Sequence, residues 1–250
     1  MNKPWPYPRL IAHRGGGSLA PENTLASIRM GQSLGYRAHE FDVKLSLDGV
    51  LVLLHDETLE RTTNGKGRAA DLTFAKLHAL DAGSWHSEAF RGEPVPSFEE
   101  AARLLRSKGT MANIEIKPTP GFDRETGKAV ALATRELWKG AAVSPIFSSF
   151  SFEALMAAKE TAPEVPRAWL IKEFGDADWK RLEALAAVSL NTSWKTIAPE
   201  RIREIHDRGY RVMLYTVNEI ATAEKLLEAG ADALFTDNLR EFAQHFPKLI

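Results

Sequence analysis

Cysteine is absent from the 250 residues, which excludes disulfides, zinc–thiolate centres and cysteine nucleophiles. Net charge is nearly absent too. Thirty-two basic residues against thirty-three acidic ones leave −1, which argues against a protein that coats nucleic acid but not against a small basic pocket for one phosphate. No apolar run approaches the length of a membrane helix, so no membrane insertion is expected. Met1–Leu10 carries three prolines and reads as a short surface arm rather than a signal peptide, and a cytoplasmic location is expected. A G-x-S-x-G element is missing, which leaves a serine-hydrolase elbow without support. No linker or low-complexity stretch divides the chain, so 1–250 is read as one domain.

What is present is a rhythm of short apolar runs and amphipathic stretches. The runs are Leu10–Ala12, Ala38–Phe41, Met111–Ile116, Pro145–Phe147, Arg167–Ile171, Val188–Leu190, Arg211–Tyr215 and Ala233–Phe235. Each has strand length, and helical periodicity follows most of them, as in Phe152, Leu155 and Met156. Ser97 with Glu100 forms a capping box, and Gly35, Gly209 and Gly230 fall where helices must stop. Eight strands alternating with helices predict a TIM (β/α)8 barrel, with a doubly wound sheet as the alternative. One stretch breaks the rhythm. After a return strand at Val50–Leu54, residues of about 56–97 hold few long helical signals and are expected to be an insertion on the barrel rim.

Chemistry-bearing residues gather at strand ends. Alternation puts Glu40 and Asp42 on one face of the second strand, about 6.6 Å apart, and Glu115 and Lys117 on one face of the third. His13-Arg14 and a triple glycine follow the first strand. In a barrel these carboxyl-terminal ends converge on the active site. Three carboxylates in one pocket repel one another, and a divalent cation resolves that; oxygen ligands suit Mg2+ or Ca2+. Arg14 and Lys117 offer positive charge to a phosphate, and the glycine loop is expected to present N–H groups to an anion. His13 and His55 suit general acid–base work. His39, His78, His86, His206 and His245 read as structural or surface residues, and Trp5, Trp138 and Trp179 as packing. Trp194 is a candidate for the pocket wall, and Glu22 belongs either to the site or to a helix start.

Set in order, His13-Arg14-Gly15, Pro21-Glu22-Asn23-Thr24, Glu40-Phe41-Asp42, Leu54-His55-Asp56, Leu59–Thr63, Leu80-Asp81-Ala82-Gly83 and Ile114–Lys117 resemble the signature of glycerophosphodiester phosphodiesterases, particularly the short cytosolic bacterial members. Tyr215–Asn218 and Phe235-Thr236-Asp237 resemble the ends of that family's last two strands, with Tyr215 where many members carry tryptophan. The resemblance implies a TIM barrel with an insertion after strand two. It also implies hydrolysis of small glycerophosphodiester substrates to glycerol 3-phosphate and an alcohol. His13 and His55 match the family's acid–base pair, Glu40, Asp42 and Glu115 its metal ligands, and Arg14 and Lys117 its phosphate contacts. A lyase that stops at a cyclic phosphate and a non-catalytic phosphate binder are the competing readings. The oligomeric state stays open.

Overall fold

The computed structural model describes residues 5–250. Nine strands form one sheet: β1 Leu10–Ala12, β2 Ala38–Leu45, β3 Leu51–Leu53, β4 Met111–Ile116, β5 Ile146–Ser149, β6 Arg167–Ile171, β7 Ser189–Ser193, β8 Arg211–Tyr215 and β9 Ala233–Thr236. All neighbouring pairs are parallel except β2–β3. β1 pairs with β9 through Leu10–Ala12 and with β2 through Ala12 and His39, so the eight parallel strands close on themselves. This is the TIM barrel that the alternating pattern predicts.

Helices lie between successive strands. They are α1 Leu25–Ser33, α2 Phe74–His78 and α3 Phe98–Ser107, then α4 Asp123–Leu137, α5 Phe152–Thr161, α6 Asp178–Leu185, α7 Pro199–Asp207, α8 Ile220–Glu228 and α9 Leu239–His245. Thr24 caps α1 by accepting from Ser27 N, and Ser97 and Glu100 cap α3 reciprocally, satisfying helix-end donors that would otherwise be orphaned. Two apolar layers result from strand alternation. One faces the helices and includes Phe41, Ile114, Phe147, Leu190 and Leu234. The other fills the lower barrel with Ile11, Met111, Ile146, Ala168, Met213 and Phe235. Trp5 and Tyr7 pack beneath this plug, and the backbone of Arg9 and Leu10 donates to Leu249. The expected surface arm at Met1–Leu10 is therefore corrected. Its first four positions lie outside the described residues, and the rest seals the barrel floor because two rings and a strand start bury apolar area there.

β2 runs past the barrel into a hairpin with β3, extending the expected strand by four residues. The chain then enters the insertion, whose only α-helix is the single-turn α2 and whose own small core is Val52, Leu54, Leu59, Ala69, Leu77, Ala82 and Val95. This core keeps a long, helix-poor segment ordered against the rim.

Candidate active site

The upper barrel interior is polar where the lower interior is apolar. Glu40 and Asn113 pair in register, as do Asp42 and Glu115 one layer higher, so β2 and β4 deliver two polar rungs to one point. Ligand oxygens of Glu40, Asp42 and Glu115 all lie within 4.8 Å of one another. Burial and the charge of Asp42 push Glu40 up to about 8, and the same causes push Glu115 up to about 7. Burial also acts on Asp42, but Lys117, His55 and Arg14 outweigh it and hold this carboxyl below its usual value. Asn23 fixes Asp42 twice: its amide donates to Oδ2 at 2.8 Å and its carbonyl accepts from the Asp42 N–H at 3.0 Å.

Two oxygens of the cluster, Glu40 Oε1 and Glu115 Oε1, are buried without a hydrogen-bond partner, while Glu40 Oε2 accepts from Arg14 N at 2.8 Å. Lys117 Nζ lies 3.0 Å from Glu115 and 3.6 Å from Asp42. A buried unpartnered carboxylate oxygen is costly, and three hard oxygen donors around one point fit a divalent cation.

The two histidines stand on either side of this cluster. His13 directly follows β1, and its Nδ1 is 2.7 Å from Asp237 Oδ1, leaving Nε2 3.9 Å from Glu40. Burial lowers the His13 pKa, but the Asp237 hydrogen bond and the charges of Glu40 and Asp237 raise it more, so the net shift is upward. His55 Nδ1 is 2.6 Å from Asp56 Oδ1, and burial, with help from Lys117, brings its pKa below the usual value. The two imidazoles are thus pushed in opposite directions.

A chain of charges connects the sides. Arg14 Nη1 donates to Glu22 at 2.7 Å, Arg61 donates to both oxygens of Glu22, and the same guanidinium grips both oxygens of Asp56. Glu22 therefore serves the site by anchoring two arginines. Lys44, almost fully buried on β2, donates to the backbone carbonyls of His55, at 3.3 Å, and Asp56.

A cavity of about 230 Å³ opens above the carboxylates. His13, Arg14, His55, Glu40, Glu115 and Lys117 line it, and Phe150, Leu170, Tyr215 and Phe235 form its apolar wall. Tyr215 lies in that wall, with its hydroxyl tied to Ile171 O at 3.0 Å. His13, His55, Arg14, Lys117, Glu40 and Glu115 are thus brought to one cavity, with Asp42 buried beside the two glutamates.

Other expectations change. Trp194 packs against the outer core and donates to Thr216 O at 3.0 Å, outside that cavity wall. The glycine loop is shaped by close packing against α1 and the start of α9. A Cβ on Gly15 would meet Ser27 Oγ at 2.3 Å, and the Gly17 N–H is donated to His13 O. His39 is buried against Gly15 O and pushed down to about 4 by that burial, a structural role as expected. Sequence reasoning missed the orienting carboxylates Asp56 and Asp237, the amide Asn23 and the cation Lys44. Only adjacency to His55 signalled Asp56, and nothing local connected Asp237 to His13.

Comparison with known proteins agrees with this geometry. The model of the "Glycerophosphoryl diester phosphodiesterase family" matches residues 13–241. A glycerophosphodiester phosphodiesterase of Caldanaerobacter subterraneus subsp. tengcongensis is 34% identical over 234 residues, covering 92% of this chain and 93% of that protein. One of Bacillus subtilis is 33% identical, covering 91% of this chain and 82% of its own length. A solved Oleispira antarctica phosphodiesterase, in complex with the product sn-glycerol-3-phosphate, superposes with a TM-score of 0.90 at 35% identity, covering 97% of this chain and 98% of the other. The chain belongs to the glycerophosphoryl diester phosphodiesterase family and is an enzyme that cleaves glycerophosphodiesters.

Proposed function

We propose that the enzyme is metal-dependent, that His13 and His55 exchange protons with the substrate, and that one barrel domain spanning 1–250 carries the whole reaction. The observation that carries this reading is the placement of two histidines, each held at Nδ1 by a carboxylate, on either side of three converging carboxylates. Glu40, Asp42 and Glu115 would hold the cation, Mg2+ or Ca2+ by donor type. When bound, such an ion neutralises a phosphoryl oxygen and lowers the pKa of a neighbouring hydroxyl.

Arg14 and Lys117 bind the phosphate, the arginine through its planar fork and the lysine as a point charge. One histidine takes the proton of the glycerol hydroxyl adjacent to the ester as its oxygen bonds to phosphorus. The other gives a proton to the alcohol oxygen as its bond to phosphorus breaks. A cyclic phosphate results, and water opens it with the proton roles reversed, yielding glycerol 3-phosphate. Attack from within the substrate benefits from high effective molarity. The product held by the Oleispira antarctica relative supports glycerol 3-phosphate as the end point.

The test is release of glycerol 3-phosphate from several glycerophosphodiesters after EDTA treatment and with each metal restored. Full activity in the stripped protein would remove the metal from the mechanism. A phosphorus NMR time course separates hydrolysis from a lyase, which would accumulate cyclic product.

A further inference from the structure

A second cleft of about 640 Å³ meets the first at His13 and Arg14 but lies outside the barrel. Ser18, Trp85, His86 and Asn218 contribute to its wall, so loops after β1 and β8 and the rim insertion build it together. A phosphodiester has two alcohol halves, and the two cavities meet at the residues that face its phosphorus.

Their walls differ. The inner cavity is lined by Asn113 and Asn191, almost fully buried, each with one amide atom lacking a partner. Such unpartnered groups suit the hydroxyls of glycerol. The outer cleft offers an indole instead. Trp85 is 41% exposed, and its ring nitrogen donates to Ala82 O at 2.8 Å, which holds it in place. His86 braces the same segment by a 3.1 Å contact with Ser18 O. Glu22 and Asp237 also line the cleft, while its one guanidinium, Arg14, is tied to Glu22, which Arg61 also holds.

We propose that this outer cleft is the subsite for the departing alcohol and that Trp85 selects alcohols bearing an ammonium group. This inference rests on the phosphodiesterase reading and adds the half of the substrate that faces solvent. A cation over an indole face gains attraction that a neutral alcohol lacks.

Steady-state kinetics on the metal-loaded chain test it. Trp85→Ala is expected to raise KM for glycerophosphocholine roughly fivefold with kcat nearly unchanged. Glycerophosphoglycerol, whose leaving alcohol is neutral, should stay within about twofold, and Trp85→Phe should recover most of the choline effect. Equal loss on both diesters, or loss on neither, overturns the proposal. Inhibition of the wild type gives an independent arm should the variants fold poorly. Choline should inhibit more strongly than the neutral isostere 3,3-dimethylbutan-1-ol, and equal or weaker inhibition also overturns it. Calorimetric titration with choline reads the cleft without turnover. Failure to cleave any diester would bring down the reaction reading itself, whereas turnover without selectivity for the ammonium group would bring down this inference alone.

Discussion

Asp237 at the end of β9 holds His13 at the end of β1 through a 2.7 Å contact spanning 224 positions of sequence. The carboxylate fixes the ring orientation and favours its protonated form. Asp237→Asn removes the charge and leaves Glu40 alone to oppose the downward pull of burial and Arg14 on the His13 pKa. The pH limb that reports His13 is expected to move to lower pH, with kcat reduced by about tenfold or more. A pH–rate profile at saturating metal checks both, and an unmoved limb would show that Asp237 only packs.

Leaving-group acidity separates the two histidines. His13→Ala and His55→Ala are each expected to lower kcat by roughly 10²–10⁴ with the fold retained. A diester of a nitrophenol needs little protonation as it departs. The variant lacking the general acid should be largely rescued on it, and the other should not. Equal failure of both on both substrates would rule out the division of labour.

The metal-free protein should lose stability between about pH 6.5 and 8. In that window native Glu40, pushed up to about 8, and Glu115, pushed up to about 7, retain protons that the unfolded chain has released, and His13 shifts in the same direction. The native state binds more protons, so stability falls as pH rises. His39 and His55, both shifted down, oppose this only below about pH 6.5. Lys44, lowered to about 8, opposes it only above that value. Thermal melts should show a decline with pH that added metal abolishes, with protons released on binding; a flat profile would contradict the buried carboxylate cluster.

Glu115→Gln keeps the shape of the side chain and, above about pH 8 where all three carboxyls of the metal-free cluster are ionised, removes one of three repelling charges. Melts should show the metal-free variant as stable as the wild type or more so, while metal affinity and turnover drop together. Partial rescue by high metal concentration is expected. Loss of stability in the metal-free variant would mean that the ion pair with Lys117 outweighs the repulsion.

Arg14→Lys keeps charge but loses the planar guanidinium that donates to Glu22 through Nη1 and is proposed to bind the phosphate. A charged hydrogen bond contributes about 1.5–3 kcal/mol, so kcat/KM should fall about ten- to a hundredfold. Unchanged kinetics would take Arg14 out of phosphate binding.

Local pattern by itself pointed to the barrel, with a doubly wound sheet left as the alternative, and to the residues that meet in the cavity. Alternation along a strand is a property of consecutive residues, so Glu40 with Asp42, and Glu115 with Lys117, were assigned to shared faces without any tertiary information. Runs of strand length between amphipathic segments likewise located eight strands, and Ser97 with Glu100 marked a helix start. Tertiary closure alone decided the rest. Trp5 and Tyr7 became a floor because the barrel presents an apolar lower end, which no short window displays. Trp194 turned to the outer core because its ring nitrogen finds Thr216 O there. Asp237 reaches His13 because β9 returns beside β1, Asn23 grips Asp42 because β1 pairs with β2, and Arg61 bridges Glu22 to Asp56 because the insertion folds back over the rim. Those partners are set by distance in space, and a polar side chain in a sequence carries no mark of the charge that it will meet.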